Sequence, residues 1–99
     1  MKRDFWYHPE AERELDDAVD FYETESTERA SSFFAEVEEN VDIICERPLL
    51  GSPGEEGTRR RLLQRYPYTL IYRDAGNEIQ IYAVAHHRRK PGYWLKRVR

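Results

Sequence analysis

The segment "AVAHHRRKPGYW" (residues 83–94) concentrates side chains that could transfer protons and bind an anion. His86 and His87 are adjacent, three basic residues follow, and Tyr93 lies a few positions further on. Histidine titrates near neutral pH and therefore suits the role of an acid or a base. Arginine binds phosphate through a planar pair of donors, and tyrosine can donate a proton or stack on a nucleobase. The segment therefore indicates a site for a negatively charged partner.

The charge of the chain is divided between its two halves. The net charge is −3, yet residues 1–56 carry 17 acidic and 5 basic residues, which gives −12. Residues 57–99 carry 2 acidic and 11 basic residues, which gives +9. This asymmetry favours an anionic partner, such as nucleic acid, for the second half. The alternative is that the two halves neutralise each other within the fold.

Each candidate residue also has a purely structural interpretation. If a strand continues through both histidines, they point to opposite faces, so that at most one of them joins a site. No cysteine or acidic residue near them completes a tetrahedral ligand set, so a metal site is not expected. Tyr93 and Trp94 could pack over the end of a sheet, because aromatic side chains supply large buried areas. Arg65 and Arg73 could be exposed strand charges that discourage edge pairing.

Length and composition set further limits. A chain of 99 residues fits one domain, residues 1–99, with a modest core and little room for a separate cofactor domain. No apolar run of about 18 residues predicts a membrane span, and no apolar stretch at the start predicts a signal peptide. A cytoplasmic protein without membrane contact is therefore expected. The single Cys45 excludes an internal disulfide and a cysteine-based zinc site.

Apolar periodicity predicts two helices joined by a short link. Pro9 suits the first turn of a helix, and apolar residues at helical spacing continue to about Glu25. Ser26 or Thr27 can cap a second helix, which ends near Arg47 because a proline follows. The acidic residues of the second helix are expected to form a solvated outer face: Glu36, Glu38, Glu39 and Asp42.

Four strands complete the predicted fold. One precedes the helices at residues 4–8, and three follow at residues 58–63, Tyr68–Asp74 and Glu78–His86, with a hairpin turn at residues 74–77. Strands joined by tight turns pair antiparallel. The fold class is therefore α+β with the order β-α-α-β-β-β, a helical hairpin packed on one face of a small antiparallel sheet. The other face would stay open to a ligand.

Strand alternation assigns side chains to the two faces of this sheet. Arg73 is predicted to share a face with Thr69. In the last strand, one face is predicted to carry Ile79, Ile81, Ala83 and Ala85, and the other Gln80, Tyr82, Val84 and His86. Four tyrosines are expected to belong to the core or to cover the sheet: Tyr66, Tyr68, Tyr72 and Tyr82. The last eight residues are expected to form a short helix or an arm.

Three segments in this order resemble one known family: "HPEAERELDDAVDFYE" (residues 8–23), "RYPYTLIYR" (residues 65–73) and the segment at residues 83–94. The chain resembles toxins of the RelE/ParE superfamily from bacterial type II toxin–antitoxin modules. The resemblance implies a compact α+β fold and a cognate antitoxin protein, which would wrap an amphipathic, often acidic segment around the toxin. RelE-like members cut messenger RNA in the ribosomal A site, whereas ParE-like members poison DNA gyrase. The fold alone does not separate these activities.

A RelE-like member would be a metal-independent mRNA endonuclease that needs no cofactor and reacts through the 2′-hydroxyl of the RNA. Such cleavage needs a base, an acid and cations that stabilise the charge on the phosphate. The leading hypothesis is therefore RNA cleavage, with five catalytic residues: Arg60, Arg73, His87, Arg89 and Tyr93. Arg73 is not a matched position of the family and is included because it could replace a missing cation. His87 stands where RelE-like nucleases have an arginine six residues before the tyrosine. Arg60 is the best match, within a run of three arginines, for a basic residue on a strand.

Other positions favour the ParE-like branch. A lysine of the RelE-like group falls on Leu62 and its central arginine on Thr69, although Arg73 could compensate from the same face. His86 and Arg89 reproduce a three-residue spacing of ParE-like members. Three hypotheses therefore stay open. The chain is a toxin that cleaves ribosome-bound mRNA, or one that binds DNA gyrase without cleaving RNA, or an inactive homologue that only binds antitoxin.

Overall fold

The computed structural model describes residues 2–99 and confirms the α+β class with a helical hairpin. The elements are β1 (Asp4–Tyr7), α1 (Pro9–Glu23), α2 (Thr27–Glu46), β2 (Ser52–Pro53), β3 (Arg59–Leu62), β4 (Tyr68–Asp74), β5 (Glu78–His86) and α3 (Leu95–Val98). The strands form one sheet in the order β1-β5-β4-β3-β2. The short β2 adds a strand to the predicted order. Among residues 2–99, no helix combines the length and the apolar character that a bilayer span requires.

The helices begin at caps that the sequence provides. Nδ1 of His8 accepts a hydrogen bond from the N–H of Glu10 at 3.1 Å, and Pro9 occupies the first helical position of α1. Oγ of Ser26 accepts a hydrogen bond from the N–H of Arg29 at 3.0 Å, so Ser26 caps α2. Hydrogen bonds to nearby side chains therefore determine where both helices begin. The end of α1 lies about two residues earlier than predicted.

β1 departs from the expected antiparallel sheet. It pairs with β5 in parallel, with Asp4 opposite Glu78 and Tyr7 opposite Ile81, whereas the other strand pairs are antiparallel. The long chain between β1 and β5 allows this, because a parallel pair needs a crossover rather than a tight turn. β1 is therefore an edge strand with no neighbour in the sheet on its outer side.

The main core lies between the helical hairpin and the sheet. The ring of Tyr22 lies 5.0 Å from the rings of Phe33 and Tyr66, centroid to centroid, and Phe33 lies 5.1 Å from Tyr68. Tyr72 is fully buried in the same core. Aromatic side chains bury large areas and gain from such tilted and edge-to-face contacts. The prediction of a core position is confirmed for Tyr66, Tyr68 and Tyr72, and Tyr82 is buried outside this cluster.

A β-bulge in β5 makes the predicted face assignment wrong. Ile71 pairs with Ala83 but Tyr72 pairs with Ile81, so that Tyr82 is an extra residue in the ladder. The extra residue shifts the alternation, so that the members of the core beneath the helices are Ile79, Ile81 and Val84. Ala83 lies on the second face with Ile71. Periodicity alone predicts an unbroken strand, and the bulge comes from the pairing with β4.

The second face of the sheet is partly covered, contrary to the expectation of an open face. Trp94 is only 7% exposed and packs, together with Leu95 and Val98, against Ile71 and Ala83. These apolar contacts hold the last residues of the chain on the sheet. The interpretation of Trp94 as a packing residue is confirmed.

Glu36 does not belong to the solvated face of α2. It is buried, and its carboxylate accepts hydrogen bonds from the N–H groups of Gln64 at 2.6 Å and Arg65 at 3.3 Å. A buried carboxylate needs such partners, and these two hold the turn between β3 and β4 against α2. The prediction was wrong for Glu36, whereas the other residues of the predicted set are exposed: Glu38, Glu39 and Asp42.

Candidate functional site

A pocket beside the end of β5 brings together four of the five predicted site residues. Arg60, His87, Arg89 and Tyr93 line a cavity of about 520 Å³, together with Lys90. We call this cavity, defined by those five residues, the basic pocket. Four of them lie in the segment that follows β5 and turns back over the sheet, and Arg60 comes from β3.

Arg60 is the arginine of β3 that lines the pocket. Arg59 donates a hydrogen bond to the carbonyl of Gly51 at 2.8 Å, and Arg61 donates one to Oδ1 of Asn40 at 2.7 Å. Neighbouring strand residues point to opposite faces, so Arg60 is directed away from these partners. The choice of the middle arginine agrees with the register of the strand.

Arg73 is not brought together with the other four residues. Its Nη2 donates hydrogen bonds to Oε1 of Gln80 at 3.2 Å and to the hydroxyl of Tyr82 at 2.9 Å. Its guanidinium carbon lies 5.3 Å from the centroid of the Tyr82 ring. Arg73 thus lies outside the pocket, beside Gln80 and Tyr82. It does not replace the arginine that RelE-like nucleases have at the position of Thr69.

The strand ends at His86, so His87 lies in the turn that follows, and both residues line the pocket. Nε2 of His87 lies 3.0 Å from Oγ1 of Thr69 on the pocket side. His86 lies on the helix side, where its ring meets that of Tyr68 edge-on at 5.0 Å. Burial, followed by the charges of Arg88 and His87, lowers the pKa of His86 below 6.5. His87 is the more exposed of the two histidines that line the basic pocket.

The carboxylate of Glu14, which the sequence analysis missed, connects the basic segment to α1. Oε1 accepts hydrogen bonds from the N–H of Val84 and from Nη1 of Arg97, both at 3.0 Å. Oε2 accepts them from the hydroxyl of Tyr93 at 2.7 Å and from Nη2 of Arg97 at 2.9 Å. Nη1 of Arg89 adds an ion pair at 3.8 Å. The Glu14 side chain is only 15% exposed, so these contacts compensate a largely buried charge.

This network determines the state of two pocket residues. Burial, and then the hydrogen bond to Glu14 and its charge, raise the pKa of Tyr93 above 10.0 and keep the phenol neutral. The guanidinium carbon of Arg89 lies 3.9 Å from the centroid of the Tyr93 ring. By contrast, Arg60 and Lys90 form no ion pair within residues 2–99. Arg60 and Lys90 are therefore pocket cations that no carboxylate of the described residues compensates.

The position of Glu14 beside the apolar stripe of α1 indicates that its carboxylate is partly buried. It lies three residues after Ala11 and four before Ala18, both of which are buried. A carboxylate beside an apolar stripe needs partners, because an uncompensated buried charge is costly. The partners come from β5 and from the end of the chain, so no local pattern identifies them.

The lining of the pocket is suited to contact an anion. Among residues 2–99, no group of three or more His, Cys, Asp or Glu side chains is arranged to hold a metal ion. Arg60, His87 and Lys90 can instead contact an acidic or phosphate group from one side.

Comparison with known proteins identifies the family. A family profile described as "ParE toxin of type II toxin-antitoxin system, parDE" matches residues 6–91, a span that ends just before Tyr93. A solved chain of the chromosomal ParDE TA system from P. aeruginosa is 26% identical, with a TM-score of 0.74, covering 86% of this chain and 96% of that chain. No curated protein sequence matches the chain. The chain belongs to the ParE toxin family of type II toxin–antitoxin systems, which implies a cognate antitoxin as its partner.

Proposed function

We propose that this toxin acts by binding DNA gyrase and does not cleave RNA. The observation that supports this is the Glu14 carboxylate, which accepts a hydrogen bond from the hydroxyl of Tyr93 and pairs with Arg89. Two of the five predicted catalytic residues thus already have partners inside the fold. A third, Arg73, is bonded outside the basic pocket. RNA cleavage needs an acid and a base that both reach the phosphate. Of the two candidate groups, Tyr93 donates its hydrogen bond to Glu14, and only His87 is not bonded to that carboxylate.

The scarcity of cations supports the same conclusion. Leu62 and Thr69 occupy positions where RelE-like nucleases carry basic residues, and Leu62 presents an exposed apolar side chain instead. Stabilising a phosphate in the transition state depends on such positive charges. Membership in the ParE family adds to this argument, because ParE-like members are the gyrase poisons of the superfamily.

In this proposal the basic pocket is a contact surface. Arg60 and Lys90 are exposed and have no ion pair within the part of the chain that the structure describes. Exposed cations of this kind attract an acidic protein surface or the DNA held by gyrase. Their removal should weaken the contact without disturbing the fold.

A supercoiling assay with purified gyrase, ATP and relaxed plasmid tests the proposal. The wild-type toxin is expected to inhibit supercoiling, and Arg60→Ala is expected to need about tenfold more toxin for the same inhibition. Arg13→Ala is the matched control, because Arg13 is an exposed arginine of α1 outside the pocket. Gyrase that remains fully active with excess wild-type toxin would overturn the proposal.

RNA cleavage is the second candidate, because His87, Arg89, Tyr93 and Arg60 do share one cavity. Purified toxin incubated with translating ribosomes should leave messages intact, as shown by mapping mRNA ends. Cleavage at defined positions that disappears in His87→Ala would replace the gyrase proposal with the nuclease one. Normal growth on induction without antitoxin would instead indicate an inactive homologue.

A further inference from the structure

A second and larger cavity lies on the helix side of the sheet, between β1 and the two long helices. It measures about 1110 Å³, compared with about 520 Å³ for the basic pocket. Its apolar floor is formed by Phe5, Tyr7, Leu15 and Phe34. Its rim carries Asp4, Glu12, Asp16, Glu38, Glu39 and Asp42. We call this cavity, with its floor and rim, the acidic groove.

The floor of the acidic groove exposes apolar surface. Phe5 is 54% exposed and Phe34 is 40% exposed, although both are large apolar side chains. Phe5 belongs to β1, whose outer side has no strand neighbour. Exposed apolar side chains next to a sheet edge mark surfaces that other chains cover. The fold therefore leaves this surface for a partner.

The rim of the groove keeps a negative charge that the fold does not compensate. The two cations beside it are already paired, Lys2 with Asp42 and Arg3 with Asp74, the latter at 3.0 Å. Within residues 2–99 no ion pair involves the remaining five carboxylates: Asp4, Glu12, Asp16, Glu38 and Glu39. A cleft lined by one sign of charge attracts the opposite sign and repels its own. Nucleic acids, anionic membranes and acidic peptides are therefore disfavoured here.

We propose that the acidic groove binds a segment of the cognate antitoxin in which apolar side chains are flanked by lysine or arginine. The apolar residues would cover Phe5 and Phe34, and the basic residues would pair with Glu38 and Glu39. The proposal rests on the place of this chain in a toxin–antitoxin pair but is independent of gyrase. It differs from the sequence-based expectation, in which an acidic antitoxin segment binds the basic half of the toxin.

The same charges argue against a second copy of the toxin as the occupant. Two copies meeting through a two-fold axis would place one acidic rim against the other. Like charges in close contact are destabilising, and the chain has a net charge of −3. A basic partner removes this repulsion, and an identical chain adds to it.

Two matched substitutions of apolar residues test the location of the contact. The antitoxin encoded beside the toxin gene is purified, and its affinity for toxin variants is measured by titration calorimetry. Phe34→Ser is expected to weaken binding about tenfold or more, because it removes a central apolar contact. Leu49→Ser is the control, because Leu49 is 71% exposed and lies outside the groove. Circular dichroism checks that both variants fold like the wild type.

Two matched charge reversals test the chemistry of the partner. Glu39→Lys and Asp20→Lys change the net charge equally, and both residues are exposed on helices, but only Glu39 lines the groove. Glu39→Lys is expected to weaken antitoxin binding about tenfold and to reduce its dependence on salt. Asp20→Lys should stay within about threefold of the wild type, because exposed charges at a distance are screened.

The outcomes separate this proposal from the gyrase proposal. Weaker binding in the two groove variants only, Phe34→Ser and Glu39→Lys, supports the acidic groove as the antitoxin site. Wild-type affinity in these variants, tighter binding of Glu39→Lys, or equal losses in the controls would overturn it. So would a toxin dimer in sedimentation that dissociates in Phe34→Ser, because the occupant would then be a second copy. Gyrase inhibition is measured without antitoxin, so either proposal can fail while the other stands.

Discussion

The basic pocket and the acidic groove lie on different sides of the sheet, and the fold compensates their charges to different extents. At the basic pocket, Glu14 reaches across from α1 and neutralises part of the positive charge through Arg89 and Arg97. At the acidic groove, the cations Lys2 and Arg3 each pair with one carboxylate and leave the other rim residues uncompensated. The interpretation that the two halves neutralise each other therefore holds at Glu14, whereas the anionic partner expected for the second half stays a prediction.

Truncation of one aromatic residue in each region should give the largest difference in the free energy of unfolding. Trp94→Ala is expected to lower the free energy of unfolding by about 3–5 kcal/mol, because Trp94 is buried against the sheet. Phe34→Ala should cost less than about 1 kcal/mol, because its ring is partly exposed in the groove. Urea unfolding of both variants measures the difference. Similar losses in both would mean that the groove contributes to the core rather than to a docking surface.

Removal of one carboxylate in each region should give the next largest contrast. Glu14→Ala removes the only carboxylate paired with Arg97, which keeps just the carbonyl of Tyr82, and leaves the N–H of Val84 without its acceptor, so it should cost about 2–4 kcal/mol. Asp16→Ala should stay within about 0.5 kcal/mol of the wild type, because its carboxylate is exposed on the rim of the groove. Thermal and urea unfolding decide the comparison. Equal losses of stability would mean that the hydrogen bonds of Glu14 to Tyr93 and Arg97 do not stabilise the end of the chain.

Most of the fold follows from local patterns. Helical spacing in α1, the Ser26 cap and the proline after α2 predict the hairpin, because each acts within a few residues. The alternation in β4 is also correct, because that strand carries no extra residue. The extra residue Tyr82 in β5 and the parallel pairing of β1 are not visible in the sequence, because both depend on a distant strand.

The candidate site, like the fold, was predictable where it depends on local sequence and not where it depends on distant contacts. Residue type and position in the basic segment suffice to bring His87, Arg89 and Tyr93 into one pocket. The contacts of Glu14 and Glu36 were not predictable, because Glu14 meets groups 70 to 83 residues away and Glu36 meets groups 28 and 29 residues away. Acidic residues on a helix are usually solvated, and only the folded chain shows which of them face inward.

Alkaline pH should destabilise both regions through one tyrosine in each. Burial, followed by nearby negative charges, raises the pKa of Tyr7, and burial with the Glu14 hydrogen bond raises that of Tyr93. The unfolded chain loses these protons above pH 10 while the folded chain keeps them, so this stability is complete below pH 10 and declines as the pH rises further.

Urea unfolding at a series of pH values measures this decline in the wild type and in the single variants Tyr7→Phe and Tyr93→Phe. Each substitution removes one raised pKa and should therefore make the decline shallower. Tyr93→Phe should also lose stability at neutral pH, by about 1 kcal/mol, because the hydroxyl donates to Glu14. A decline that is unchanged in both variants would mean that neither phenol is protected from ionisation.

The smallest expected effect concerns the pKa of His86, at the end of β5. The pKa of His86 is lowered by burial and by the charges of Arg88 and His87, so the neutral ring is favoured in the folded chain. The associated stability is present above pH 6.5 and declines as the pH falls through the lowered pKa. An NMR titration of the His86 ring should give a pKa below 6.5, and Arg88→Ala should move it upward. Arg13→Ala, a distant exposed arginine, should leave it unchanged. A pKa at or above 6.5 would mean that neither burial nor the neighbouring cations disfavour the protonated ring of His86.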